Sequence, residues 1–541
     1  MNAPVLARVR DPVREGVASG WKVIDASKPG EDLALECDVA IVGTGAGGGM
    51  VAEALAQAGI SVVMIEEGGL RTSSDFTLRE ADAYPDLYQE SAARKTADKS
   101  INILQGRCVG GGTTVNWTSS FRTPAATLDH WVRTYGLSTF TAGALAPWFD
   151  TVEKRLSITP WEVAPNPNND ALARGAARLR IPAATIRRNV RGCADLGYCG
   201  VGCVLNAKQS MLVTTIPEAL GRGATLVTRA RAERLVMRGD AVVALEGRGM
   251  DASGASPGSR AFTVRARSFV SAAGAIGTPG LLLRSGVPDP QGLVGRRTFV
   301  HPTLVSAAIM PDRIDGFAGA PQTVFTDHYL DTLPPSGPIG FKLEAAPIHP
   351  ILASITLPGH GATHAAFMRE FAHLHVLVAL LRDGFHPGST GGTVRLREDG
   401  TPLLDYPFSP YVWDGARRAF RAMADLQFAA GAKRVMPIHG RGEAYDDSVQ
   451  ARRAIDAFSL APLVTPVVSA HVMGGCAIGP DPRRACVTPE GRYHHLSNLH
   501  VADGSLFPTS VGSNPQLTIY AVAARIGARL AAQLAPRKAS G

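Results

Sequence analysis

Long apolar runs and blocks of like charge are both missing from this sequence. The longest apolar stretches, such as residues 376–381, fall far short of the roughly 18 to 20 residues that cross a bilayer, so no transmembrane segment is predicted. Lys and Arg number 55 against 47 Asp and Glu, a formal net charge of +8, but the basic residues occur at most in pairs such as Arg187-Arg188. Nucleic-acid binding needs a concentrated basic patch and is therefore not expected.

Charged residues and cysteines are also scarce. Charged side chains make up 19% of the chain and apolar ones 45%, which argues against a disordered or fibrous protein. Seven cysteines in 541 residues do not form a dense disulfide framework and favour a reducing compartment. No apolar segment follows the arginines near the N-terminus, so a cytoplasmic location is expected. The basic balance also allows peripheral docking on an anionic membrane or an acidic carrier protein.

A glycine-rich turn between a strand and a helix is the first motif with a chemical meaning. Residues 37–42 form a β-branched apolar run, and residues 43–48 read GxGxxG before a helical pattern at 50–58. A second apolar run at 61–65 ends at Glu66, which completes a βαβ unit. This context predicts a dinucleotide-binding turn, although NAD and FAD both use it.

Each position of that turn has an expected role. Gly43 allows the tight turn, Gly45 lets the backbone approach a pyrophosphate, and Gly48 permits close packing of the helix on the strand. The helix that follows the turn presents its N-terminus to the phosphates. The carboxylate of Glu66 is expected to accept hydrogen bonds from ribose hydroxyls.

The rest of the chain indicates two kinds of domain. The expected division is an N-terminal arm at 1–36, a discontinuous dinucleotide-binding domain at 37–122, 205–300 and 466–541, and a substrate-binding domain or lid at 123–204 and 301–465. Within 301–465, strand-like runs at 351–356, 373–381, 393–397 and 403–406 accompany one amphipathic helix at 413–430. The predicted class is α/β, or α+β overall, with a Rossmann-like domain beside an antiparallel sheet.

Four ordered motifs resemble one known family. A second glycine-rich segment at 106–117, the segment 270–286, the His-Val-Met-Gly-Gly-Cys run at 471–476, and the C-terminal runs 501–508 and 514–520 are similar to the signatures of the glucose-methanol-choline (GMC) family of FAD-dependent oxidoreductases. Residues 199–210 resemble a segment of long-chain fatty alcohol oxidases and related bacterial dehydrogenases. The His471 motif paired with Asn514 is also similar to cholesterol oxidases, whereas many members carry a second histidine where this chain has Asn514.

The resemblance and the dinucleotide turn together imply a set of FAD-binding residues. These are Gly43, Gly45, Ala46, Gly48, Glu66, Gly106, Gly110, Gly111, Thr113, Asn116, Ala232, Ala273, Asp503, Gly504 and Pro515. Some members attach FAD covalently through a histidine of the glycine-rich loop, but Val115 precedes Asn116 here. Noncovalent FAD is therefore expected.

The resemblance implies oxidation of a primary or secondary alcohol. Proton removal by His471, with hydride transfer to flavin N5, is the expected mechanism, and neutral imidazole near pH 7 can accept that proton. Asn514 cannot titrate and is expected to orient the alcohol, while His301 is the alternative base. The electron acceptor is expected to be a quinone, a carrier protein or dioxygen. A non-redox lyase or a light-driven decarboxylase on the same fold is the alternative function.

Cysteines and histidines outside these motifs do not predict a metal site. The spacing of Cys193, Cys199 and Cys203 matches neither the usual zinc nor the usual iron–sulfur patterns, which leaves a metal, a local disulfide or, as favoured here, free thiols. His494, His495 and His500 are interpreted as surface or loop residues. No metal is therefore expected.

Overall fold

The computed structural model describes residues 9–535, which form several sheets flanked by helices. Its strands are β1 (Lys22–Asp25), β2 (Leu33–Val42), β3 (Val62–Ile65), β4 (Ile101–Ile103), β5 (Ser119–Ser120), β6 (Ile158–Pro160), β7 (Ala184–Thr185), β8 (Arg187–Asn189), β9 (Thr225–Thr228), β10 (Ala230–Arg238), β11 (Ala241–Met250), β12 (Pro257–Ser271), β13 (Arg296–Val300), β14 (Thr303–Ile309), β15 (Val324–Thr326), β16 (Phe341–Ala345), β17 (Leu374–Leu381), β18 (Gly392–Leu396), β19 (Pro402–Asp405), β20 (Arg434–Pro437), β21 (Val467–Ser469), β22 (Val472–Gly474) and β23 (Leu499–Val501). Its α-helices are α1 (Pro12–Ala18), α2 (Ala46–Gln57), α3 (Glu80–Leu87), α4 (Gly112–Val115), α5 (Ala125–Tyr135), α6 (Ala142–Arg155), α7 (Pro167–Arg178), α8 (Thr215–Gly221), α9 (Gly274–Ser285), α10 (His328–Asp331), α11 (Pro350–Thr356), α12 (Gly361–Arg369), α13 (Pro410–Ala429), α14 (Ser448–Asp456) and α15 (Gln516–Leu534).

The first sheet has the order β1-β9-β3-β2-β12-β11-β10 and contains the predicted βαβ unit. Strands β1, β9, β3, β2 and β12 run parallel. The apolar runs of β9, β3, β2 and β12 are buried because helices such as α2 and α15 cover the sheet. One edge of β12 pairs with β2. Its other edge pairs first with antiparallel β11 and then, over its last three residues, with parallel β23. The mixed α/β fold with a Rossmann-type unit is thus confirmed.

The second sheet is largely antiparallel and follows the order β4-β21-β14-β17-β16-β15-β7, with β20 also paired to β14. Alternate residues of its strands point to opposite faces. Leu377 and Ala379 of β17 belong to the core with α7 and α13, whereas Val378 and Leu380 face a cavity beside the first sheet. Two smaller sheets have the orders β19-β18-β13-β22 and β5-β8-β6.

The domain boundaries differ from the expected ones in three places. The described part of 1–36 contains α1 and β1, and β1 pairs with β9, so this segment is part of the first sheet and not an extended arm. Helices α5 and α6, expected in the substrate domain, pack into the core of the first sheet, where Glu53 of α2 binds Arg155. Strands β4 and β21, expected in the dinucleotide domain, join the second sheet.

Candidate active site

One cavity of about 730 Å³ extends from the carboxyl ends of β2, β3 and β12 to the inner face of the second sheet. Ligands of open parallel sheets bind at this end of the strands. The predicted site residues in its wall are Gly43, Gly45, Ala46, Glu66, Gly106, Gly111, Thr113, Asn116, Ala232, Ala273, Asp503, Gly504 and Pro515, together with His471 and Asn514. Gly48 and Gly110 do not line it.

The dinucleotide turn has the backbone geometry that its glycines predict. Gly43 adopts φ +94°, and a Cβ there would lie 2.4 Å from the carbonyl oxygen of Ala272. A Cβ on Gly48 would lie 1.9 Å from the carbonyl oxygen of Gly43, so Gly48 lets α2 pack against the turn instead of touching a ligand. The N-terminus of α2 therefore opens toward the cavity.

Two adjacent acids, Glu66 and Glu67, lie in the cavity wall. Glu66 accepts hydrogen bonds from the backbone N–H and hydroxyl of Thr44 (3.0 and 2.6 Å) and from the N–H of Gly68 (2.9 Å). Burial raises the pKa of Glu66, and these bonds offset that only in part. Burial also raises the pKa of Glu67, but the guanidinium groups around it, that of Arg107 first, outweigh burial and hold the pKa below its usual value.

Hydrogen bonds connect the glycine-rich loop to one segment that precedes it and one that follows it in the sequence. Gly110 donates its N–H to the hydroxyl of Thr44 (3.0 Å), which explains why it supports the loop without lining the cavity. The side chain of Asn116 donates to Oε1 of Gln516 (2.5 Å), at the start of α15. Asp503 accepts from the N–H of Gly274 (2.9 Å) at the start of α9. Segments that are distant in sequence therefore meet around one cavity.

His471, which is half-buried, is paired with a fully buried histidine, His301. Nε2 of His301 accepts a hydrogen bond from the N–H of Gly512 (3.1 Å), so neutral His301 carries its proton on Nδ1. Nδ1 of His301 lies 3.0 Å from Nδ1 of His471, and the hydrogen-bond pattern therefore assigns the proton of His471 to Nε2. Burial, aided by the charge of Lys342, lowers the pKa of His471 to about 4. Burial likewise lowers the pKa of His301 well below its usual value. Both rings are neutral at pH 7.

Asn514 faces a buried carboxyl group that the sequence analysis missed. Its Nδ2 donates to Oε2 of Glu344 at 3.3 Å, while Oε1 of Glu344 and Oδ1 of Asn514 have no hydrogen-bond partner within residues 9–535. Burial raises the pKa of Glu344 to about 7, although the Lys342 ammonium opposes the shift. The signal was present in β16, where Lys342 and Glu344 interrupt an apolar strand at alternate positions.

The cysteines and His500 are the remaining candidates from the sequence. All seven cysteines are free thiols, including Cys193, Cys199 and Cys203. No cluster of three His, Cys, Asp or Glu side chains in the described residues could hold a metal ion.

His500 is buried within β23, so the interpretation as a surface or loop residue is wrong for it, because the strand completes the first sheet. None of the described helices is long and apolar enough to span a membrane.

Comparison with known proteins identifies the family. Two GMC oxidoreductase family models match the chain, the N-terminal one over residues 64–303 and the C-terminal one over residues 387–523. The chain is 28% identical over 524 residues to long-chain-alcohol oxidase FAO4A of Arabidopsis thaliana, covering 94% of this chain and 70% of that protein. It is 30% identical over 530 residues to the GMC-type oxidoreductase Rv0492c of Mycobacterium tuberculosis, covering 94% and 80% of the two chains.

A solved structure shares the whole fold. Pyridoxine 4-oxidase from Mesorbium loti superposes with a TM-score of 0.67 at 20% identity, covering 91% of this chain and 99% of that one. The chain therefore belongs to the GMC oxidoreductases, a family of FAD-dependent enzymes.

Proposed function

We propose that this oxidoreductase converts a primary or secondary alcohol to the carbonyl compound with noncovalent FAD. The observation that carries the proposal is the placement of His471, Asn514 and Glu344 in the same cavity as the dinucleotide turn. The similarity to a long-chain-alcohol oxidase supports an alcohol substrate. FAD, when bound, supplies the acceptor for the hydride that leaves the carbon next to the hydroxyl.

The residues present fit FAD. The turn at Gly43, the helix N-terminus at Ala46 and the acids Glu66 and Glu67 are suited to a pyrophosphate and a ribose. Ala232 and Ala273, also in the wall, extend the same cavity along the first sheet. Val115 lies in the wall and offers no atom for a covalent bond to the flavin, which supports noncovalent binding.

Two groups could receive the hydroxyl proton. The sequence motif favours His471, but the hydrogen bond from Gly512 to His301 assigns the proton of His471 to Nε2. In that state His471 donates a hydrogen bond to the alcohol oxygen, and the carboxylate of Glu344, which lines the cavity, accepts the proton. His471 could accept the alcohol proton only if the proton of His301 moved from Nδ1 to Nε2. That proton would then point at the N–H of Gly512, which is unfavourable. We therefore propose Glu344 as the acceptor.

Anaerobic mixing with alcohols tests the function. The purified protein should be yellow, acid should release all of its flavin as FAD, and at least one primary or secondary alcohol should bleach the flavin. His471→Ala should slow that reduction by about 10²-fold or more with FAD content unchanged, because its N–H stabilises the negative charge that develops on the alcohol oxygen. Asn514→Ala should cost less, because a neutral hydrogen bond contributes about 0.5 to 1.5 kcal/mol. His494→Ala is the matched control.

The outcomes are distinct. A flavin that stays oxidised with every alcohol would contradict the proposed function, and flavin retained by acid-precipitated protein would contradict noncovalent binding. After reduction, the rates of reoxidation by dioxygen, a quinone and an artificial dye identify the preferred class of acceptor. Rapid formation of peroxide in air would assign an oxidase, and reoxidation by the quinone alone would assign a dehydrogenase.

A further inference from the structure

Lys208 is a buried cation directly behind the glycine-rich loop. Its side chain is 2% exposed, and Nζ donates to the carbonyl oxygens of Thr114, Asn116 and Cys199, each at 2.7 Å. Three acceptors match the three N–H groups of an ammonium, whereas a neutral amine has only two. The hydrogen bonding therefore indicates that Lys208 is charged.

Arg188 is a second buried cation on the same side of the loop. It is 0% exposed, its Nε donates to the hydroxyl of Thr118 at 2.9 Å, and its guanidinium lies over the ring of Trp161. Its Nη2 lies 3.6 Å from Sγ of Cys199. Its Nη1 has no hydrogen-bond partner in the part of the chain that the structure describes.

Neither cation has a carboxylate counter-ion among residues 9–535. The groups that act most strongly on the charge of Lys208 are three cysteines, Cys199, Cys203 and Cys108, and Arg188, none of which is a carboxylate. Lys342, by contrast, is paired with Asp327 at 2.9 Å. Burying a charge without a counter-ion lowers the stability of the folded chain. Two such charges next to each other are therefore expected to have a function that offsets this loss.

The loop that these cations hold forms part of the cavity wall. Residues 115–118 line the cavity, and Lys208 and Arg188 bind main-chain or side-chain oxygens of residues 114–118. The two charges are therefore separated from the cavity by about the thickness of the loop. In such a poorly polarisable setting, a charge acts on its neighbours more strongly than it would in water.

We propose that Lys208 and Arg188 position the 114–118 loop and raise the reduction potential of the bound flavin. The inference rests on the proposed FAD chemistry. A hydride carries two electrons and one proton, so its arrival adds one negative charge to the acceptor. Nearby cations without counter-ions stabilise that charge and favour the reduced form. Both are positioning residues, since neither lines the cavity.

The test measures the midpoint potential of the holoenzyme by anaerobic equilibration with a redox dye, without substrate. Lys208→Gln and Arg188→Gln keep hydrogen-bond donors but remove one charge each, and both should shift the potential to more negative values. Lys433→Gln, at an exposed lysine, is the matched control and should leave the potential unchanged.

A second pair of variants separates the effect of charge on the flavin potential from the effect of losing hydrogen bonds to the 114–118 loop. Cys199→Asp places a carboxylate beside Arg188, and Cys199→Asn is its neutral counterpart of nearly the same shape. The Asp variant should have the more negative potential, and equal potentials in the two would overturn the proposal even if the Gln variants fail to fold. Wild-type protein that holds no FAD would instead contradict the proposed function.

Discussion

The buried carboxyl group of Glu344 is balanced between its two charge states. It lies on β16 beside Lys342, and burial raises its pKa to about 7. At neutral pH about half of the molecules would carry the ionised form. His471, with a pKa of about 4, is neutral throughout the same range. The pH dependence therefore separates the two possible proton acceptors.

Catalysis should follow the ionisation of Glu344. Because a proton acceptor must be deprotonated, kcat/KM for an alcohol should rise as pH increases through about 7. Glu344→Gln should slow flavin reduction by about 10²-fold or more and abolish this limb. Stopped-flow flavin reduction over a pH series measures both. A wild-type profile that is flat from about pH 5.5 to 9 would favour His471 as the acceptor.

Glu66 should contribute to FAD retention in two ways. Its carboxylate is available to ribose hydroxyls, and it also holds Thr44 and Gly68 at the dinucleotide turn. Glu66→Ala should weaken FAD binding by about 1 to 3 kcal/mol, because these donors would lose their acceptor. Titration of apoprotein with FAD, followed by flavin fluorescence, measures this. A larger loss in Glu67→Ala would move the ribose contact to the adjacent acid.

At the scale of single elements, the segment 351–356 shows the limit of pattern reading. Its apolar, β-branched sequence predicts a strand, but residues Pro350–Thr356 form helix α11. Pro350 at the first helical position favours that start, and Glu80 accepts hydrogen bonds from the N–H groups of Ile351 and Leu352 at 2.7 and 3.0 Å. This tertiary contact, supplied from α3, satisfies donors that a short helix leaves free. The local sequence does not contain it.

Strand β17 contains a histidine that lowers the stability of the folded chain at acidic pH. His375 is fully buried, neither ring nitrogen has a hydrogen-bond partner within residues 9–535, and burial lowers its pKa to about 3. The unfolded chain binds a proton near pH 6.5 and the folded chain does not, so stability falls as pH drops below about 6.5.

His375→Met should remove that dependence. Relative to wild type, the variant should gain about 2 kcal/mol in unfolding free energy between about pH 7 and pH 5. Urea unfolding at the two pH values measures the difference. His360→Met, at an exposed histidine, serves as the control. An equal gap between His375→Met and wild type at both pH values would contradict the argument.

For the whole molecule, local sequence patterns predicted which loop segments meet at the cavity, but not which residues of the second sheet line it. The turn at Gly43 and the motifs around Asn116, Asp503 and His471 are local patterns, and each lies in the cavity wall. Glu344 belongs to no such pattern, because it reaches the cavity through pairing of β16 with β17. Likewise, Gly48 and Gly110 do not line the cavity because Gly48 packs against Gly43 and Gly110 binds Thr44. The motifs alone do not show these contacts.

The cavity joins both sheets, so FAD should stabilise the entire chain. Its wall includes residues from the first sheet, such as Val42, and from the second, such as Thr303 and Leu380. A ligand that binds only folded protein at about 100 times its Kd adds about 2.7 kcal/mol. Apoprotein should therefore unfold at a lower temperature than holoenzyme, and calorimetry with added FAD should restore the Tm. Unchanged unfolding on FAD removal would contradict a shared cavity.

The pairing of β23 with β12 also has a consequence for synthesis on the ribosome. Strands β2, β3 and β12 emerge early, but β23 and α15 come from the last part of the described chain. A Cβ on Gly527 would lie 3.1 Å from Cα of Val51, so α15 packs closely on α2 only after residues Gln516–Leu534 have been made. Until then, the growing chain exposes an open strand edge and an uncovered helix, which are features that chaperones recognise. A chain truncated before residue 471 would lack His471, Asn514 and the wall residues Asp503 and Gly504, so we expect no cofactor capture before these segments are made.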